Sequence, residues 1–131
     1  MDWLFGLKNT STAIGQRAED TALNFLQAKG MRLVERNYRC KLGEIDLVMR
    51  HNDELVFIEV RYRRQNSFGD GAESVDFRKQ QRIIKSAEHF LQHHRQYAQT
   101  PCRIDVISIS QRSAAADEQA AIQWITNAIQ A

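Results

Sequence analysis

The sequence predicts one α/β domain in the order αβββαβ. Three observations lead there: an apolar stripe at helical spacing near the start, two strand-like runs around a tight turn, and a long second helix followed by another apolar run. At 131 residues the chain is of a size for one domain around a single buried core.

Taken in order, Ser11 or Thr12 can cap a helix to about Lys29, whose stripe is Ile14, Ala18, Ala22, Phe25 and Leu26. Gly30 suits the left-handed stop, and Glu19 stands beside the stripe. Residues 1–12 read as an N-terminal arm carrying Trp3 and Phe5, and residues 13–131 as the domain itself. A strand covers residues 31–36, and two more cover 43–50 and 54–61. A flexible Gly-rich loop follows at 65–72; no Gly-Lys-Ser/Thr continues it, so it is not a P-loop. A long helix over 75–97 shows Ile83, Ile84, Ala87, Phe90, Leu91, His94 and Tyr97 at helical spacing, packed on the sheet. Its other face carries Arg82, Lys85, His89 and His93, read as solvated because the i, i+4 histidines have no acidic or cysteine third ligand nearby. Pro101 precedes a central strand over 102–109 with an embedded acid, Asp105. Residues 114–116 read as a linker, and 122–125 as either an edge strand or the start of a short helix.

The acids inside the paired strands carry the functional signal. Asn52 and Asp53 suit a two-residue hairpin turn, which sets His51 opposite Glu54, Asp46 opposite Glu59 and Glu44 opposite Arg61. Period-two alternation puts those charges on one face and leaves Ile45, Leu47 and Met49 as an apolar layer with Val60, Ile58 and Val56 on the other. Two carboxylates about 5 Å apart repel by roughly 3 kcal/mol at an effective dielectric near 20. A cation is their natural partner. A hard divalent metal such as Mg²⁺ takes carboxylate, carbonyl and water oxygens; a strand end neutralised by Arg61 and Lys41 is the alternative.

A net charge of +2 does not by itself imply a nucleic-acid partner. Distribution says more. Lys29, Arg32, Arg36, Arg39 and Lys41 form one basic group, and Arg61, Arg63, Arg64, Arg78, Lys79, Arg82 and Lys85 a second able to follow phosphates. No recognition helix or aromatic stacking platform is evident, so DNA contacts are expected at the backbone, through Arg63, Arg64, Arg78, Arg82 and Lys85. Cys40 and Cys102 are the only cysteines and form no CxxC pair, which suits a reduced cytoplasmic setting. The opening residues lack a signal-type apolar stretch, and no run approaches a membrane span.

The ordered pieces Gly15-Gln16-Arg17-Ala18-Glu19, Arg36-Asn37-Tyr38-Arg39, Gly43-Glu44-Ile45-Asp46-Leu47-Val48, Val56-Phe57-Ile58-Glu59-Val60-Arg61, Lys79 and Arg103-Ile104-Asp105-Val106 run through residues 13–110. Together they resemble the PD-(D/E)XK nucleases, which share a restriction-endonuclease-like fold with archaeal Holliday-junction resolvases. More closely, the chain is similar to the bacterial YraN family of endonuclease-like proteins. The resemblance implies a mixed central sheet flanked by helices. It makes Asp46 and Glu59 metal-binding carboxylates, adds the main-chain carbonyl of Val60, and completes the set with Glu19. Mg²⁺ or Mn²⁺ is the implied cofactor and DNA the implied partner. Branched or recombination intermediates are the candidate substrates, and a homodimer is expected by analogy with the resolvases. Where the general pattern has lysine, this chain has Arg61, which can offset developing charge but cannot accept a proton; Lys79 is then a candidate for the missing ammonium. The expected function is a Mg²⁺-dependent DNA endonuclease with Asp46, Glu59, Arg61 and Lys79 as catalytic residues. Two alternatives are a nuclease-derived module that binds nucleic acid without cutting, and a structural partner whose acidic hairpin is a salt-bridge cluster.

Overall fold

The structure, a computed structural model, describes residues 2–64, 76–111 and 120–130; side chains are described from residue 13 onward, except those of Arg64, Gln111 and Ala120. The expected loop at 65–72 and linker at 114–116 lie outside the described residues. A five-stranded sheet separates two helices. In chain order the elements are α1 (Asp2–Ala28), β1 (Arg32–Cys40), β2 (Gly43–His51), β3 (Glu54–Arg64), α2 (Phe77–His93), β4 (Cys102–Gln111) and β5 (Ala120–Ile129). The strands lie in sequence order, with β3 and β4 parallel and the other pairs antiparallel. This is a mixed α/β fold compatible with a restriction-endonuclease-like core.

Helix α1 begins at Asp2, so Ser11 and Thr12 lie within it rather than at its start, and the stretch read as an arm continues the helix in its backbone. Its end is as expected. Gly30 takes φ +92, Met31 N–H donates to the Leu26 carbonyl and Gly30 N–H to that of Gln27, a Schellman closure. Ala18, Ala22 and Leu26 bury against Leu47, Met49, Val56, Ile58, Ile107 and Ile109, forming one core layer. On the other face α2 packs Ile83, Ile84, Ala87 and Phe90 onto Tyr38, Val48, Leu55, Phe57, Ile104 and Val106. Both helices thus follow the apolar periodicity that predicts them, except that Ile14, expected in the α1 stripe, is exposed.

The β2–β3 hairpin has the expected register, from His51↔Glu54 to Leu47↔Ile58, with Asn52 at φ +57 in the turn. There the pairing stops, although both strands run on. Ile45 does not stay with Leu47 and Met49: it packs with Tyr38 in the layer under α2. The cause sits in β1. Asn37, between the pairs Arg36↔Leu47 and Tyr38↔Ile45, takes φ +57, and a left-handed residue breaks the period-two alternation of both strands.

Helix α2 is shorter than expected. Asp76 caps it by accepting a hydrogen bond from Lys79 N–H at 2.8 Å, and a 3-10 turn at Arg95–Tyr97 follows. The ambiguous segment 122–125 belongs to the edge strand β5. Among the described residues no helix is long and apolar enough to cross a membrane.

Candidate functional site

The point where β2 leaves β3 is occupied by a side chain. Asp46 Oδ2 accepts a hydrogen bond from Val60 N–H at 2.8 Å, replacing a ladder bond beyond Leu47↔Ile58. In extended backbone the N–H and C=O of one residue face the same side, so the Val60 carbonyl also faces this gap. Among the described residues Val60 is the only hydrogen-bond donor to Asp46, leaving Oδ1 with an open acceptor position.

Glu59, next along β3, projects under α2 and is 6% exposed. Its Oε2 meets Lys79 Nζ at 2.9 Å. Lys79 stands in the first turn of α2, which the Asp76 cap opens, so the start of that helix is what brings the ammonium to Glu59. From the opposite face α1 supplies Glu19, paired with Arg36 at 3.4 Å, while the same guanidinium meets Asp20 at 2.6 Å. Glu44 faces Arg39 across the β1–β2 pair, with a separation of 3.9 Å.

These placements converge electrostatically on Asp46. Burial holds its carboxyl well above the usual carboxylate range, and the neighbouring charges of Glu59, Glu19 and Glu44 push the same way against the Val60 hydrogen bond. Glu19 is also raised by burial, in spite of Arg36 and a hydrogen bond from Asn37. The donor set is hard oxygen, of the kind Mg²⁺ and Mn²⁺ take. Among the described residues, no three His, Cys, Asp or Glu side chains converge closely enough to hold an ion unaided. Lys79 engages Glu59 and Arg36 engages Glu19. A bound cation would therefore compete with two basic side chains for two of the three carboxylates.

The remaining candidates are placed as follows. Arg61 lies two residues beyond Glu59 on β3, beside Ser108 of β4. Arg63 follows it, half-buried, and the side chain of Arg64 lies outside the described residues. Arg78, Arg82 and Lys85 are exposed along α2 at helical spacing, forming one basic stripe. The face expected to be solvated is exposed at Arg82, Lys85 and His93, but His89 on it is half-buried: it hydrogen-bonds the Tyr38 hydroxyl and stacks on His93 with ring centroids 4.1 Å apart. Sequence reasoning missed three features: the Arg36 clamp on Glu19, the Val60 N–H on Asp46, and Phe77. That phenylalanine, 73% exposed, opens α2 beside Lys79. Its spacing was visible, but it falls seven residues before Ile84 and looks like core.

Asp105, the other acid in an apolar run, is fully buried and saturated. Arg103 Nε spans both oxygens at 3.1 and 3.2 Å, Trp124 Nε1 donates to Oδ2 at 2.9 Å and Asn127 N–H to Oδ1 at 2.8 Å. Arg103 also reaches Glu54 and His51 at the hairpin turn.

A family model described as "Uncharacterised protein family UPF0102" matches residues 18–109, which contain the whole carboxylate site. A UPF0102 protein of Pseudomonas syringae pv. syringae is 48% identical over 121 residues, covering 92% of this chain and 96% of the relative. One of Stutzerimonas stutzeri is 48% identical over 120 residues, covering 92% and 97%. A third, of Nitrosococcus oceani, is 46% identical over 114 residues, covering 87% and 89%.

Proposed function

The chain belongs to the UPF0102 family, and we propose that it is a divalent-metal-dependent DNA endonuclease of the YraN, PD-(D/E)XK type. One observation carries the reading. Asp46 is withdrawn from the sheet ladder and fixed by Val60 N–H, with no second donor to it among the described residues, near the buried Glu59. A carboxylate serving only stability has no use for that arrangement, which concentrates negative charge at a strand separation. The saturated Asp105 shows what a structural acid looks like in this same sheet.

Asp46, Glu59 and the Val60 carbonyl would hold Mg²⁺ or Mn²⁺, with Glu19 completing the set from α1. The metal would supply Lewis acidity, polarising the phosphodiester and easing deprotonation of water. The chain's own residues do the rest. Lys79, whose ammonium meets Glu59, would offset charge growing on the phosphate, and Arg61 would add a fixed positive charge from the strand of Glu59. Arg63, Arg78, Arg82 and Lys85 hold the DNA backbone, and the sheet scaffold keeps the acids in place. Branched or recombination intermediates are the substrates we favour, a homodimer the assembly, and the cytoplasm the setting.

Arg61 in the lysine position favours one second reading, a binding module that retains metal and DNA but does not cut. Linear, nicked and four-way DNA incubated with and without Mg²⁺ or Mn²⁺ separates the two. Strand scission that needs metal and is lost in Asp46→Asn and Glu59→Gln is the expected result. Calorimetric Mn²⁺ titration should show binding to wild type and loss in both variants. Unchanged affinity in the variants would overturn the metal site.

A further inference from the structure

Phe77 is the most exposed large hydrophobic among the described residues, at 73%. It is not an isolated surface ring. Along α2 it stands in line with Ile84 and Leu91, one and two heptads on, and both of those pack into the core layer. The apolar stripe therefore continues to an exposed ring at the start of the helix. Phe77 lies roughly 9 Å along the helix axis from Ile83, the first buried residue of α2. Its surroundings are charged: Arg78 is its neighbour, Lys79 reaches Glu59 from the same turn, and Arg82 continues the basic stripe.

An apolar ring flanked by the exposed Arg78 and, a turn on, Arg82, with the neighbouring Asp76 carboxylate engaged in the helix cap, matches a nucleobase attached to a phosphodiester. The ring offers a stacking face and the cations take the phosphates. A base inside continuous duplex has both faces covered by its neighbours. We infer that Phe77 stacks on an unpaired or splayed base whose flanking phosphates are taken by Arg78 and Arg82, so this end of α2 selects single-stranded or junction DNA over continuous duplex. The inference rests on the nucleic-acid reading above and deepens it.

The test uses the full chain without divalent metal at one fixed low salt concentration. Binding is measured to oligo-dT, to an abasic sugar-phosphate strand of the same length, and to a fully paired duplex. Phe77→Ala should weaken oligo-dT binding about 5- to 100-fold and leave the abasic strand and the duplex unchanged. Phe77→Trp should restore oligo-dT binding, with tryptophan emission quenched by oligo-dT but not by the abasic strand. Equal oligo-dT affinity in wild type and Phe77→Ala overturns the inference, as does an equal loss on all three ligands, which marks a packing residue. Circular dichroism of each variant checks folding. If wild type binds none of the three ligands, the nucleic-acid reading itself fails; if wild type binds oligo-dT and Phe77→Ala matches it, only the stacking role fails.

Discussion

Asp46 carries two burdens that pull in opposite directions, and they can be separated by substitution. Its carboxyl is raised above its ordinary value of 3.8 by burial and by Glu59, Glu19 and Glu44, so the proton is held more tightly in the native state than in the unfolded chain. Below the ordinary value both states are protonated and nothing is lost. As pH rises through the raised native value, the unfolded chain releases its proton first and the native state loses stability, fully so above that value. Asparagine cannot ionise, yet its Oδ1 still accepts from Val60 N–H. Metal-free Asp46→Asn should therefore be more stable than wild type at pH 8, on the order of 1 kcal/mol from relieved repulsion, and level with it towards pH 4. Urea unfolding in chelator at both pH values checks this. Asp46→Ala should instead be destabilised by about 1–3 kcal/mol, because the Val60 donor is left unpaired. Lys79 offers a second separation. Lys79→Ala should cut metal-dependent cleavage by about 100-fold while Mn²⁺ affinity holds or rises, since Glu59 is freed of its ammonium. Arg61→Lys should keep measurable cleavage. A cleavage assay paired with calorimetry decides both, and a parallel fall in affinity and rate for Lys79→Ala would return that residue to a structural role.

Hairpin β2–β3 shows how far an element can be read and where reading stops. Alternation and one Asn-Asp turn suffice to locate the partners from His51↔Glu54 to Leu47↔Ile58, because register follows once the turn is placed. The same logic carried to Asp46 opposite Glu59 and Glu44 opposite Arg61 runs past the end of the ladder. What ends it is Asn37 on the neighbouring strand, a left-handed residue whose effect on β2 is invisible without knowing that β1 pairs there. Helix α2 shows the complement: its buried residues were legible from spacing, whereas the exposure of Phe77 was not, because spacing cannot say which turns of a stripe the fold covers. Gly43 joins the two elements. It takes φ +152, and a Cβ there would lie 2.9 Å from Ser86 Oγ and 3.5 Å from Arg82 on α2. Ser86 is fully buried and has little room to move. Gly43→Ala should destabilise the fold by about 1–3 kcal/mol, through backbone strain and displacement of α2. Thermal unfolding measures that, and a shift of α2 carrying Lys79 off Glu59 should lower cleavage in the folded fraction. An unchanged melting temperature would show that the helix does not press on β2.

Across the whole molecule, two aspartates interrupt apolar strands with the same sequence signal and fill different roles. Asp46 lies where β2 and β3 part; Asp105 lies in β4, beside the register shift between Ile104 and Val106 of the β4–β5 pair. Each accepts a main-chain N–H from a neighbouring strand, Val60 for one and Asn127 for the other. No pattern of residues distinguishes them, because the difference lies in how many further donors the fold brings. Arg103 and Trp124 complete Asp105, and Arg103 ties it on to Glu54 and His51 near the turn; Asp46 receives none of these and is surrounded by acids instead. Their substitutions should therefore behave oppositely. Asp105→Ala removes the acceptor of Arg103 Nε, leaving that 13% exposed guanidinium with Glu54 and His51 alone, strands an indole N–H and a main-chain N–H, and should destabilise the protein by about 3–5 kcal/mol. Asp105→Asn should fall in between, since one amide cannot accept from every donor. In the fraction that remains folded at low temperature, Mn²⁺ affinity should stay within about 2-fold of wild type, because none of the residues bonded to Asp105 belongs to the carboxylate site. Urea unfolding followed by calorimetry of the folded variant tests the pair of expectations. Lost metal affinity with unchanged stability would make Asp105 part of the site and Asp46 no longer its centre.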